Sequence, residues 1–375
     1  MSSLFTPIEV GSTTIQNRIG MSALTRSRAT TTVPNDIMKE YYVQRAKGGA
    51  GLIVTEGVLI TRQGSEWPNA PGLWEKDQVD GWKEINDAVH EAGSKIYAQL
   101  WHLGRTSHPD APEQIAAGTP VYAPSAIAAR GGKFRLLPGE PGYVTPTEIP
   151  DPTVVINQFK QAAVNAKEAG FDGVEVHGAN GYIVHQFLDS ASNQRTDKWG
   201  GSPENRSRFA LEVLKAVKEV FGLNVAIKLS PAGGFNDVGM PLQETIDTFG
   251  YLLTEADKLS LAYVTLSRYN PFLDIEFDGK KRATQHDVVE TFTPFLKNTP
   301  IWVNSGVTPE EAEAYIKSGK VAGIFWGLNW LTHPDLGRRL KEGKLLDNAP
   351  NFMTLYGAPG VDPAIGYTDY KEAIY

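Results

Sequence analysis

The chain has 375 residues, with 41% hydrophobic and 21% charged side chains. That ordinary globular balance and length support a large core and exclude disordered and fibrous classes. Thirty-six Lys plus Arg against 43 Asp plus Glu leave a formal charge of −7, so neither nucleic acid nor an anionic membrane is an expected partner. Cysteine is absent, which excludes disulfides, thiolate catalysis and Cys-ligated metal or iron–sulfur centres, and fits a reducing compartment.

The first ten residues carry neither a basic n-region nor a long apolar h-region, and no apolar run approaches the roughly 20 residues a bilayer requires. The expectation is a soluble, cytoplasmic protein. No low-complexity stretch or flexible linker marks a boundary, so residues 1–375 read as one domain. Along it, short apolar runs recur at 17–23, 50–57, 95–102, 173–178, 225–231, 262–267, 300–306 and 321–327. Each is followed by a turn signal, as parallel βα units are. Amphipathic helical patterns fall at 35–47, 79–92, 152–169, 203–221, 242–258 and 308–318. Two have clear starts: Ser202-Pro203-Glu204 and Thr308-Pro309-Glu310-Glu311 each supply an N-cap, a first-turn proline and early acids. Eight such runs predict an α/β fold, a single (β/α)8 TIM barrel, with a doubly wound open sheet as the alternative. Residues 103–150 form a long Pro/Gly-rich insertion after the third strand, expected to be a lid or substrate wall.

Chemistry in such a barrel sits where strands end. The residues there are unusually polar: Thr25, Glu56-Gly57, Gln99, Trp101 and His102, His177 with Asn180 and Tyr182, Lys228, Ser305-Gly306 and Gly327. The sharpest cluster is Glu175-Val-His177-Gly-Ala-Asn180-Gly-Tyr182. A His and an Asn on one turn can donate together to one carbonyl oxygen, making the conjugated β-carbon electrophilic or the α-proton acidic. A tyrosine beside them can give or take a proton at carbon. The alternative is that His177 and Asn180 satisfy backbone groups at a strand end. The seven histidines show no His-Glu-x-x-His spacing, and no metal site is expected; nor does a Gly-x-Gly-x-x-Gly dinucleotide fingerprint follow a strand.

Motifs in order along the chain resemble those of the old yellow enzyme family, the FMN-dependent NADH:flavin oxidoreductases. They are Leu4-Phe-Thr-Pro7, Leu24-Thr-Arg26, Glu40-Tyr-Tyr-Val-Gln-Arg45, Thr55-Glu-Gly57, Asn69-Ala-Pro-Gly72, Gln99-Leu-Trp101, the 177–182 cluster, Asp197-Lys-Trp-Gly-Gly-Ser202, Glu204-Asn-Arg206 and Gly366-Tyr-Thr-Asp-Tyr370. The resemblance implies the eight-stranded barrel with FMN at its C-terminal mouth and NAD(P)H as reductant. It implies that Thr25 bonds the flavin O4 edge, Gly57 admits the ring, Gln99 binds the pyrimidine edge, and Lys228 supplies the charge near N1 in place of the usual arginine. Ser305, Gly306 and Gly327 would cradle the phosphate. His177 and Asn180 would grip the carbonyl of an α,β-unsaturated substrate and Tyr182 would protonate its α-carbon, with Trp101, Phe272 and Phe352 lining the pocket. Glu56 is expected to be a structural acid, and Arg26 and Arg28 anchors rather than phosphate ligands.

The resemblance breaks in three places. Where the family carries a phosphate-clamping arginine after the eighth strand, this chain reads Phe325-Trp-Gly-Leu328, a loss of about 2 kcal/mol or more of FMN binding. The family's Phe-Tyr pair appears as Phe352-Met353, with Tyr356 as a possible substitute. Trp302, Trp326 and Trp330 either belong to the core or fill space next to the cofactor. Three functions follow: an FMN- and NAD(P)H-dependent ene-reductase; a flavin-independent isomerase, epimerase or cyclase using the same His/Asn/Tyr set; or a non-catalytic binding barrel. The partner in each case is a small molecule, and the chain is expected to be a monomer or homodimer.

Overall fold

The computed structural model describes residues 2–132 and 142–375. Eight parallel strands close into a barrel: β1 (Ile19–Met21), β2 (Leu52–Leu59), β3 (Lys95–Trp101), β4 (Gly173–Gly178), β5 (Val225–Leu229), β6 (Tyr263–Ser267), β7 (Ile301–Asn304) and β8 (Gly323–Trp326). Each pairs with its neighbour in sequence, and β8 returns to β1. The closed barrel, not the open sheet, is the fold. Most of its strand positions are buried, as expected for strands with helices on one face and a filled interior on the other.

The interior is filled by large and small residues in alternation. Tyr97, Tyr263, Trp302 and Phe325 stack across the N-terminal half, with the Trp302 and Phe325 ring centroids 4.7 Å apart. A side chain at Gly20, Gly173 or Gly323 would collide with Phe325, Tyr97 or Trp302 respectively. The hairpin Ile8–Val10/Thr13–Ile15 plugs this end with Val10 and Ile15. Trp302 is therefore barrel core. Trp330 is buried and donates its indole N–H to Gly20 O at 3.1 Å, and Trp326 to Val307 O at 2.8 Å.

The outer helices α1 (Asp36–Lys47), α2 (Lys76–Glu91), α3 (Thr153–Glu168), α4 (Pro203–Phe221), α5 (Leu242–Asp257), α6 (Val288–Phe292), α7 (Pro309–Lys317) and α8 (Leu336–Glu342) surround the strands. Ser202 and Thr308 cap α4 and α7, accepting from Asn205 N and Glu311 N. Helix α2 starts three residues before its periodic pattern because Glu75, an unusual N-cap, forms a capping box with Gln78. Helix α6 carries a single turn of apolar residues, too little for a sequence period.

Between Val54 and Gly57 the β2–β3 register shifts, so Thr55 and Glu56 oppose Ala98 alone. This bulge turns Glu56 outward, where it accepts from Arg26 N at 3.1 Å and Tyr42 Oη at 3.2 Å. Burial pushes its carboxyl up, against those hydrogen bonds. Glu56 thus ties β1 to α1. Arg26 and Arg28 donate to carbonyls of Leu355, Gly366, Pro363 and Thr354, fastening the C-terminal segment over the barrel; Tyr367 stacks on Tyr41 with centroids 4.2 Å apart.

The insertion at 103–150 holds a short helix (Pro112–Ala117) and a two-residue strand pair, Tyr122–Ala123 with Thr147–Glu148. Its centre, 133–141, lies outside the described residues.

Candidate active site

The C-terminal mouth is built around β4. Glu175 and His177 alternate along the strand, and the β4–β5 register sets His177 directly opposite Lys228. Deeper in, Glu175 accepts from Gln99 Nε2 at 2.8 Å and Thr265 Oγ1 at 2.9 Å. Burial pushes the Glu175 carboxyl up and the Lys228 ammonium down, each opposed by the other's charge. Lys228 Nζ donates to Ser22 Oγ at 3.2 Å. An ammonium has three donors, and among the described residues Ser22 is the sole side-chain hydrogen-bond acceptor of this buried one.

Burial, reinforced by Lys228, holds the His177 imidazolium well below its usual range, so the ring is neutral. Its Nδ1 accepts from Ala179 N at 3.3 Å, which places the proton on Nε2 and makes that atom a donor. Asn180 sits in the left-handed region at φ 59°, a conformation asparagine tolerates better than most residues. Two contacts fix it: its N–H donates to Ser230 Oγ, and its carbonyl accepts from Asn236 Nδ2, both at 2.8 Å. These occupy the Asn180 backbone and leave the side-chain amide without a bond among the described residues.

Tyr182 stands edge-on to both His177 and Trp101, with ring centroids 4.8 and 5.0 Å away. Trp101 is buried and lies on Gly57, where a Cβ would meet the indole at 2.6 Å. The glycine therefore admits Trp101, a reason for it that the sequence reading did not foresee. His177, Asn180, Tyr182, Trp101, Gln99 and Lys228 come together; Thr25 is half-buried in the segment after β1, and Ser305, Gly306 and Gly327 follow β7 and β8.

Two pocket residues do not join them. Phe272 is 92% exposed and Phe352 62% exposed. Met353 is also exposed, whereas Tyr356 packs on Trp67, 4.7 Å between centroids, in the apolar cluster that also takes in Trp101 and Tyr182. Of Met353 and Tyr356, Tyr356 is the one that packs into this cluster. Sequence reasoning missed Ser230 and Asn236, whose signal is only a polar, Gly-rich turn after β5. The insertion reaches the site through Asn236, which accepts from Tyr143 Oη at 2.8 Å.

The His102 ring, just past the end of β3, is engaged by neighbouring loop residues. It bonds Gln63 Oε1 at 2.6 Å and accepts from Gly104 N at 3.0 Å, and burial pushes it down to about 3. The unfolded chain, with an ordinary His value of about 6.5, takes up this proton first, so stability is lost as pH falls from about 6.5 toward 3. The stability advantage of the native chain over His102→Gln in urea is expected to shrink between pH 7 and pH 5. A constant difference would mean that His102 is not held neutral. A cavity of about 570 Å3 near Gln63, Trp74 and Tyr122 lies on the flank and contains none of the mouth residues. Among the described residues no group of His, Cys, Asp or Glu could hold a metal ion, and no helix is long and apolar enough to cross a membrane.

A closed βα barrel with a neutral histidine, an asparagine, a tyrosine and a buried cation at its C-terminal mouth has the architecture of barrel enzymes acting on small molecules. The profile of the NADH:flavin oxidoreductase / NADH oxidase family matches residues 3–347. The chain belongs to this family, the old yellow enzyme family of oxidoreductases, whose cofactor is FMN. It is 38% identical to the NADP-dependent oxidoreductase lnbE of Aspergillus flavus over 99% of this chain and 96% of the relative. It is also 38% identical to a protein of Epichloe festucae var. lolii named probable inactive reductase easA, over 98% and 95%. The old yellow enzyme homologue of Zymomonas mobilis superimposes with a TM-score of 0.87 at 34% identity, covering 99% of this chain and 100% of that one.

The mouth suits FMN on its own chemistry. A buried ammonium short of acceptors fits an electron-rich ring edge. Gln99 keeps its carbonyl oxygen to accept from a ring N–H, because its amide nitrogen is engaged by Glu175.

Proposed function

We propose that the chain is an FMN-dependent ene-reductase that reduces carbonyl-activated C=C bonds at the expense of NAD(P)H. The observation that carries this reading is the neutral His177, with its proton on Nε2, set against Tyr182 and beside the buried Lys228. Thr25, Gln99 and Lys228 would hold the ring, and Ser305, Gly306 and Gly327 the phosphate. FMN held there would supply hydride chemistry, drawing on NAD(P)H and serving the carbon β to the carbonyl. His177 Nε2 and the Asn180 amide donate to the carbonyl oxygen and stabilise the negative charge that develops on it. Tyr182 gives its proton to the α-carbon and is replenished from solvent. Trp101 shields the pocket and fixes the tyrosine ring.

The purified protein, mixed with excess FMN and desalted, is expected to retain the flavin absorbance band near 450 nm, to lose it on anaerobic addition of NADPH, and to regain it with cyclohexenone. A colourless protein would favour the second reading, a flavin-independent isomerase, epimerase or cyclase. That reading draws on Leu328, an exposed leucine at the rim, and would be pursued with carbonyl compounds bearing acidic α-protons and no nicotinamide.

A further inference from the structure

In βα barrels phosphate groups are held by the loops after strands 7 and 8 and the start of a short extra helix. Here those parts are Ser305-Gly306-Val307, Gly327 and the helix Leu328–Thr332. The backbone N–H groups of Gly306, Val307, Gly327 and Leu328 make no hydrogen bond among the described residues. Leu328 is half exposed and brings no charge.

The nearest guanidinium comes from another strand. Arg268 follows β6; its Nε donates to Ser305 O at 2.9 Å, and its second amino nitrogen to Gly306 O. A Cβ on Gly306 would have one neighbour within 4 Å, the Arg268 guanidinium at 3.6 Å, so the guanidinium lies directly against this turn. Glu311 of α7, its carboxylate exposed to solvent, lies 2.9 Å from Nη1, and Tyr315 also bonds the guanidinium. A carboxylate that reaches solvent is a weakly held partner.

We propose that Arg268 is the phosphate-binding cation of this chain, reaching from β6 the anion that Leu328 cannot, and exchanging Glu311 for the FMN phosphate on binding. This inference rests on the FMN reading above and adds to it the residue responsible for phosphate recognition. Arg268 remains charged at every working pH, and its fork can bond Ser305 O and a phosphate oxygen together.

Titration with FMN and with riboflavin, followed by flavin fluorescence, separates phosphate recognition from ring binding. The native chain is expected to prefer FMN by ~10-fold or more. Arg268→Met should remove most of that preference by weakening FMN alone, and Arg268→Lys, which keeps the charge and loses the fork, should fall between. Adding Leu328→Arg to Arg268→Met should restore the preference, and Glu311→Gln should tighten FMN without touching riboflavin. If Arg268→Met keeps the preference, or weakens both flavins equally, the proposal is overturned; should that variant not fold, Arg268→Lys reads the same quantity. A native chain that binds both flavins equally also overturns it while leaving the cofactor reading standing, whereas one that binds neither removes both.

Discussion

Replacing Tyr182 with phenylalanine is expected to slow reduction of an enone by ~100-fold or more, the range for loss of a positioned general acid. The change deletes one oxygen and keeps the ring. The edge-on contacts to His177 and Trp101 are ring contacts, so the pocket should keep its shape and KM should move little. The rate of flavin bleaching by NADPH should be unchanged, because no protonation at carbon occurs in that half of the cycle. Stopped-flow measurement of the two halves separately is the test. An unaffected enone step would remove Tyr182 from proton donation, and slowing of both halves equally would point to a packing role.

His177→Ala is the second large effect. Loss of one donor to a developing oxyanion costs ~100- to 1000-fold in kcat, and at this site a cavity beside Trp101 and Tyr182 is left as well. His177→Asn, which keeps an N–H donor, should recover part of the loss. Because the folded ring is neutral and its imidazolium form is held well below the usual range by burial and by Lys228, the native enone step should show no histidine titration between pH 6 and pH 8. A step near pH 6.5 that disappears in His177→Asn would mean instead that the charged ring is the working form, and the donor geometry derived from Nδ1 would have to be abandoned.

The deletions act on one unit. Asn180 is held by Ser230 and Asn236, and Asn236 by Tyr143 of the insertion. The His177–Asn180 pair is thereby connected to the long insertion after β3, and loops of this kind are where barrels commonly change substrate while keeping their chemistry.

The strands and most helices were legible in the sequence because burial on both faces leaves a dense apolar run and amphipathic packing leaves a 3.6-residue period. β4 and α4 were read to the residue, the latter because Ser202 and Pro203 mark its start. The His177–Tyr182 cluster was legible for a related reason: its members are close in sequence, so local geometry brings them together. What only the tertiary structure decided joins residues far apart in the chain. Lys228 faces His177 through the β4–β5 register, Arg268 reaches a turn beyond the next strand, and Tyr356 arrives by a segment fastened by Arg26 and Arg28. Phe272 and Phe352 entered as pocket residues through the resemblance, and their exposure in the fold depends on loop paths that a side chain's chemistry does not record. Gly57 shows the same limit within a motif: its need for a missing Cβ was readable, but that the space is taken by Trp101 depended on how β2 bulges against β3. Periodicity records what each segment buries; it carries no record of which distant segment it meets.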